Sequence, residues 1–220
     1  MGLLPTLSGP VRKPASGGKP KQLVVLLHGV GADGNDLIGL APYWAPALPD
    51  AEFVSPDAPF PCDMAPYGRQ WFSLQNRSAE AILSGVRAAA PILDAFLDDA
   101  LAARGLDAAK LALVGFSQGT MMSLYVGPRR AKALAGIVGY SGALIGADTL
   151  AQDIRSRPPV LLVHGDADQV VPPQAFPLAV AGLKSVGVAV EELICPGVAH
   201  SIDEAGLRRG GAFLRRVLAG

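Results

Sequence analysis

Cysteine and histidine are scarce in this chain: 220 residues hold two Cys and three His. Two cysteines are too few for a disulfide framework, and Cys62 and Cys195 read as reduced thiols that pack in a reducing compartment. The histidines, His28, His164 and His200, lie far apart, with no H-x-x-x-H or paired Cys spacing, which argues against a metal-dependent hydrolase; neither a metal nor another cofactor is expected. Net charge is also missing. Lys plus Arg and Asp plus Glu both number 19, so there is no basic field to attract nucleic acid. Long apolar runs are absent as well: charges, Pro or Gly interrupt every stretch before it reaches the roughly 20 residues of a transmembrane helix.

The first 20 residues carry Pro5, Pro10, Pro14 and Pro20 and a Ser16-Gly17-Gly18 step. They read as an extended arm rather than an export signal, and a cytoplasmic location is the expectation. Met1-Gly2-Leu3-Leu4-Pro5-Thr6 formally fits an N-myristoylation pattern, but that pattern constrains too little to use.

Half of the residues are hydrophobic, and the length suits one core rather than two. Residues 21–220 are expected to form one domain behind the arm of residues 1–20. Gln22 to Leu27, Lys110 to Val114, Leu134 to Tyr140 and Val160 to His164 are short, nearly continuous apolar runs, the signature of strands buried on both faces. Ala51 to Ser55 and Val188 to Cys195 read as two further strands. Helical patterns lie between them: Asp36 to Ala47, Ala79 to Arg104, Gly119 to Arg130, Pro173 to Gly187 and Glu204 to Leu218. Pro91 is expected to break or kink the second of these. The alternation predicts an α/β class with a mostly parallel sheet flanked by helices. Pro56, Pro59, Pro61 and Pro66, interleaved with Phe60, Tyr67, Trp71 and Phe72, mark an ordered loop.

Gly115-Phe116-Ser117-Gln118-Gly119 is a G-x-S-x-G pentapeptide between an apolar strand and a helical pattern, the context in which a serine is presented on a tight turn. Small residues two before and two after it let neighbouring backbone pass closely. A serine hydroxyl needs a base, most often histidine. With the order serine, acid, histidine, His28 is excluded because it precedes Ser117, and His164 precedes every plausible acid. His200, in a loop between the last strand and the last helix, is the candidate base. Asp166 and Asp168 both sit in the turn after strand Val160 to His164, where ligand-side residues collect, and spacing does not choose between them. The other aspartate would organise the turn. The oxyanion would be met by the amides of Gln118 and of Val30, the latter in the Gly-rich turn His28 to Gly34, which His28 is expected to brace. Gly29, Gly31 and Gly34 do not complete a dinucleotide-binding fingerprint.

Together LHGVGADG at 27–34, RQWFSL at 69–74, GFSQG at 115–119, HGDADQVVP at 164–172 and GVAHS at 197–201 resemble the phospholipase/carboxylesterase family, which includes acyl-protein thioesterases. The likeness runs from about residue 22 to the end. It implies an α/β-hydrolase fold with little or no lid, and a catalytic triad of Ser117, Asp168 and His200, which settles Asp168 over Asp166. It also implies oxyanion amides at Val30 and Gln118, and a substrate contact at Trp71, for which plain packing is the competing role; Phe116, Met121 and Met122 are assigned to packing. Ala199 departs from the Gly that many members have before the histidine, and a positive φ there would strain it.

The expected function is a serine carboxylesterase acting on a small-molecule ester or thioester through an acyl-enzyme intermediate. An acyl-thioesterase or lysophospholipase would use the same residues, and acyl-chain preference separates them. A non-catalytic binding module on the same fold is the alternative from another class, which fluorophosphonate labelling of Ser117 distinguishes. The oligomeric state is not readable from the sequence; members of the family it resembles are often dimers, and the apolar loop at 60–74 is a surface able to face a partner in a homodimer.

Overall fold

The computed structural model describes residues 4–219; Gly2, and with it the myristoylation pattern, lies outside them. In chain order the elements are β1 (Val11–Arg12), β2 (Gln22–Leu27), α1 (Gly34–Leu37), α2 (Ala41–Trp44), β3 (Ala51–Val54), β4 (Phe60–Pro61), β5 (Arg69–Gln70), α3 (Ala79–Ala102), β6 (Leu111–Phe116), α4 (Gln118–Val126), β7 (Gly136–Tyr140), α5 (Ala147–Asp153), β8 (Val160–Gly165), α6 (Ala175–Ser185), β9 (Val190–Cys195) and α7 (Glu204–Leu218). Seven strands form one sheet in the order β1-β3-β2-β6-β7-β8-β9, while β4 and β5 pair as a separate hairpin. All neighbours in the large sheet are parallel except β1 and β3.

The apolar runs become central strands because both of their faces are covered, and alternate residues supply the two faces. Leu23, Val25 and Leu27 of β2, Leu111 and Leu113 of β6, and Val160 and Leu162 of β8 pack with α3, α4, α5 and α6. Val24, Leu26, Ala112, Val114, Leu161 and Val163 face the other way, onto Trp44 of α2 and Phe213, Leu214 and Leu218 of α7. The sheet edge at β9 carries charge instead, as edge strands that must not pair further usually do: Glu191 bonds Arg209 and Arg216, and Glu192 bonds Lys184.

The helix ends follow local chemistry. Ser78 caps α3 by accepting from the Ala81 amide at 3.2 Å, and Asp203 caps α7 by accepting from the Gly206 amide at 2.8 Å, each satisfying a donor left over in a first turn.

Four expectations are altered. The segment Asp36 to Ala47 does not form one helix but breaks into α1, α2 and two 3-10 turns, with Pro42 and Pro46 each opening a new short turn. Pro91 does not break its helix: α3 is continuous over 24 residues. Pro91 and Arg87, whose carbonyl loses its usual partner, both face solvent, so the missing bond leaves no buried carbonyl unpaired. The arm is extended but not detached. Its Val11 and Arg12 add antiparallel to Val54 and Phe53, and flanking bonds run from Ser55 N to Pro10 O and from Asp57 N to Ser8 O. Finally, the aromatic loop holds the β4–β5 hairpin, with Trp71 and Phe72 buried and Met64 and Tyr67 exposed.

The chain runs from β2 outward to β3 and then crosses back to β6 on the other side of β2. Such a reversal opens a crevice outside the carboxyl ends of the two strands, β2 and β6. The turns leaving those strands contain Val30 and Ser117.

Burial predicts where the fold is sensitive. Leu113 in β6 is wholly buried while Ile194 in β9 is 43% exposed. Leu113→Ala is expected to cost about 2–5 kcal/mol, a drop in Tm of roughly 5–15 °C for a chain of this size. Ile194→Ala is expected to stay within about 0.5 kcal/mol. Thermal melts of the two variants check both values.

Candidate active site

β6 runs into α4 through a turn with no room to spare. A Cβ on Gly115 would sit 2.4 Å from the Thr120 amide nitrogen, and one on Gly119 would sit 1.8 Å from the Leu27 carbonyl oxygen at the end of β2. Only glycine fits at either place. The serine between them takes φ 52 and ψ −115, a conformation that costs a non-glycine residue on the order of 1–3 kcal/mol. The surrounding bonds hold it there: the Ser117 amide donates to the Tyr140 carbonyl at 2.9 Å, and Thr120 Oγ1 donates to that same carbonyl at 2.8 Å. Ser117 stands at the N-cap of α4 without spending its hydroxyl on a capping bond.

The turn after β8 brings Asp168 to His200. Asp168 Oδ2 lies 2.7 Å from His200 Nδ1. Its Oδ1 accepts from the amides of Val170 and Val171, each at 2.9 Å. Burial pushes this carboxyl upward, but the bonds from His200, Val171 and Val170 outweigh it and hold it below the usual carboxylate range. An anionic Asp168 fixes the imidazole with its Nδ1 as donor, leaving Nε2 able to accept a proton. The His200 ring rests against Phe116, with centroids 4.8 Å apart and planes inclined by 47°. The imidazole is thus beside the residue that precedes Ser117. Among the described residues the Ser117 hydroxyl and His200 share no hydrogen bond, a contact that commonly tightens only once substrate is bound.

Asp166 serves the fold differently. Its Oδ1 accepts from the Gly197 amide at 2.6 Å, tying the turn after β8 to the loop that carries His200. That loop crosses directly over Gly165, where a Cβ would lie 2.0 Å from the Val198 carbonyl oxygen. The positive φ in the loop falls on Gly197, at 71°, and not on Ala199, so the expected strain at Ala199 does not arise.

The turn after β2 is held by His28, which is completely buried. Its Nδ1 bonds the Gly29 carbonyl at 2.7 Å, and its Nε2 accepts from the Ala58 amide at 3.0 Å. An acceptor at Nε2 requires the neutral ring. Burial, opposed only in part by the Gly29 bond, lowers its pKa in keeping with that. Among the described residues neither the Val30 nor the Gln118 amide has an acceptor; the latter opens α4, where amides have no partner inside the helix. Gly29 lies against Ser117, since a Cβ there would be 3.4 Å from the serine Cβ.

Trp71 has no exposed surface. Its Nε1 donates to the His28 carbonyl at 3.0 Å and its amide donates to Gln118 Oε1 at 2.9 Å. Of the two roles weighed for it, the geometry matches the anchor; no face of the ring is open to a substrate. His164 is likewise buried, with Nε2 2.9 Å from the Val171 carbonyl, and supports the turn that holds Asp168. Two further contributors escaped the reading of the sequence: the Gln118 side chain, noted there only for its amide, and Arg69. The guanidinium of Arg69 bonds the Ala58 and Pro59 carbonyls, both at 2.8 Å. The signal for Arg69 was its place in the block Arg69 to Leu74, but nothing in that block says which backbone it will meet.

Comparison with known proteins agrees with this fold. The phospholipase/carboxylesterase family matches residues 13–218. Acyl-protein thioesterase 1 of Gibberella zeae is 27% identical over 216 residues, covering 89% of this chain and 90% of its own. The esterase YpfH of Escherichia coli is 29% identical over 188 residues, covering 86% and 79%. The crystal structure of esterase PE8 superposes with a TM-score of 0.93 at 45% identity, covering 97% of this chain and all of that one. With nearly the whole described chain matched, and with a parallel sheet that delivers a serine, an aspartate and a histidine to one end, the protein belongs to the phospholipase/carboxylesterase family and has its α/β-hydrolase fold.

Proposed function

We propose that this chain is a serine carboxylesterase in which Ser117 is the nucleophile, His200 the general base and acid, and Asp168 the group that orients and stabilises the imidazole. The observation that carries the proposal is the Asp168–His200 bond at 2.7 Å, set beside a serine whose φ of 52° lifts it out of the strand.

In the first half-reaction Ser117 Oγ attacks the acyl carbon while His200 Nε2 takes its proton. The carbonyl electron pair moves onto oxygen, and the amides of Val30 and Gln118 receive the oxyanion. Because Gln118 is the first residue of α4, the helix N-terminus adds favourable potential at the same point. The tetrahedral species collapses, His200 returns the proton to the departing alkoxide, and an acyl-Ser117 remains. Water activated by His200 then releases the acid. Asp168 stays ionised throughout and offsets the positive charge on the imidazolium. A thioester enters the same route with a thiol as the departing group; the 45%-identical structure carries the name esterase, and ester cleavage is the reading adopted.

The connection of residues 55–78 between β3 and α3 carries only the short β4–β5 hairpin. A site beneath so small a cover admits acyl groups of different lengths. No described helix is long and apolar enough to cross a membrane.

Turnover of p-nitrophenyl acetate by wild type and variants is the test. Ser117→Ala is expected to be inactive, a loss of about 10⁶-fold in kcat, and to escape labelling by a fluorophosphonate. Unchanged turnover in that variant would refute the assignment.

The two aspartates should separate cleanly. Asp168→Asn replaces the anion that fixes the ring and is expected to lower kcat by roughly 10³- to 10⁴-fold. Asp166→Asn keeps a carbonyl oxygen for the Gly197 amide and is expected to lose less than about tenfold. Steady-state kinetics on both variants would overturn the choice of acid if their order were reversed.

A further inference from the structure

The two amides proposed to receive the oxyanion come from different loops, one after β2 and one at the start of α4. For both to reach a single oxygen, the loops must keep a fixed relation to within a fraction of an ångström. The glycines around Val30 (Gly29, Gly31 and Gly34) do not supply that stiffness by themselves.

One segment touches both loops. The Arg69 carbonyl accepts from the Gly31 amide at 2.8 Å, and the Arg69 amide donates to the Ala32 carbonyl at 2.7 Å. Beside it, Gly68 at φ 78 lies so close that a Cβ would fall 2.1 Å from the Gly31 oxygen. Two residues further on, the Gln118 carboxamide closes the circuit: Oε1 accepts from the Trp71 amide at 2.9 Å, and Nε2 donates to the Phe72 carbonyl at 2.7 Å. Both ends of that side chain are occupied by one stretch of backbone, and Gln118 is 1% exposed. The Arg69 guanidinium meets no carboxylate among the described residues. It bonds only the Ala58 and Pro59 carbonyls, and Ala58 is also the residue whose amide bonds His28.

We propose that the side chains of Gln118 and Arg69 are positioning residues which, through the backbone of residues 69–72, lock the Val30 and Gln118 amides into one oxyanion site. The inference rests on the esterase reading above. Gln118 thus acts twice, its amide on the oxyanion and its side chain on the strap that aligns the other donor.

The test uses Gln118→Met, which keeps the length and the main-chain amide but loses both bonds, with Arg69→Ala and Arg69→Lys beside it. Two quantities are read: kcat per site, with sites counted by completed fluorophosphonate labelling, and the inhibition constant of an aryl trifluoromethyl ketone. In that adduct Ser117 Oγ bonds the ketone carbon, its proton passes to His200, and the carbonyl electron pair becomes an oxyanion in the same two-amide site. Gln118→Met is expected to lower kcat per site by about 10- to 100-fold and to raise the inhibition constant by a similar factor, with KM within about threefold. Arg69→Ala should move both quantities in the same direction, and Arg69→Lys should recover part of the loss. A merely structural role would lower Tm and the number of labelled sites while leaving both per-site quantities alone.

Per-site kcat and inhibition constant within threefold of wild type in Gln118→Met would overturn the inference. If that variant does not fold, the same result in Arg69→Ala overturns it equally. Ser117→Ala, run in parallel, separates the two levels: turnover there removes the esterase reading itself, whereas an inert Ser117→Ala beside a fully active Gln118→Met removes only the coupling.

Discussion

The structure turns on the close crossing of β2 and α4. The Leu27 carbonyl at the end of one passes over Gly119 in the first turn of the other, in a gap that no side chain could share. That contact lets the chain reverse within a few residues of β6 and forces Ser117 into a backbone conformation that residues with a Cβ seldom adopt. It also places the turn after β2 against the serine, since a Cβ on Gly29 would meet the Ser117 Cβ at 3.4 Å. The parallel pairing of β2 with β6, Leu27 opposite Gly115, sets where the crossing occurs. Buried Val and Leu side chains on both faces of those strands hold the pairing and so offset the strain at one residue.

Around that crossing, side chains with no direct part in the proposed chemistry are used as struts. His28 is neutral and bonded at both ring nitrogens. His164 supports the Asp168 turn, and Asp166 anchors the loop of His200. The two histidines satisfy buried backbone groups that a loop would otherwise leave unpaired, whereas the Asp166 bond ties two exposed turns together. The chain therefore spends two of its three histidines on geometry and leaves His200 for the proposed chemistry. Environment divides them: burial keeps His28 uncharged, whereas His200 faces an anionic carboxylate.

Two further titratable groups in the sheet are buried. Burial, with the neighbouring Asp203, pushes the Cys195 thiol up to about 11, so it remains a packing group, as its isolation in the sequence suggested. Tyr140 is raised by burial as well; its hydroxyl donates to the Gly206 carbonyl and joins the sheet to α7.

Sequence alone determined the six main strands, the parallel class and the strand–serine–helix turn, because each of these is written locally. Continuous apolar runs mean two covered faces, and glycines two residues either side of a serine mean close backbone. It also narrowed the candidate base to His200 by order along the chain. Tertiary structure decided what depends on meetings between distant segments. Pro91 could stay inside a helix because its side of α3 faces water, and β1 could join the sheet because an edge beside β3 was open to it. Trp71 became an anchor because its Nε1 donates to the His28 carbonyl, and Asp166 and Asp168 took different partners because only Asp168 reaches the imidazole. Composition and spacing record the first kind of information; the second exists only once loops separated by tens of residues share the same few ångströms.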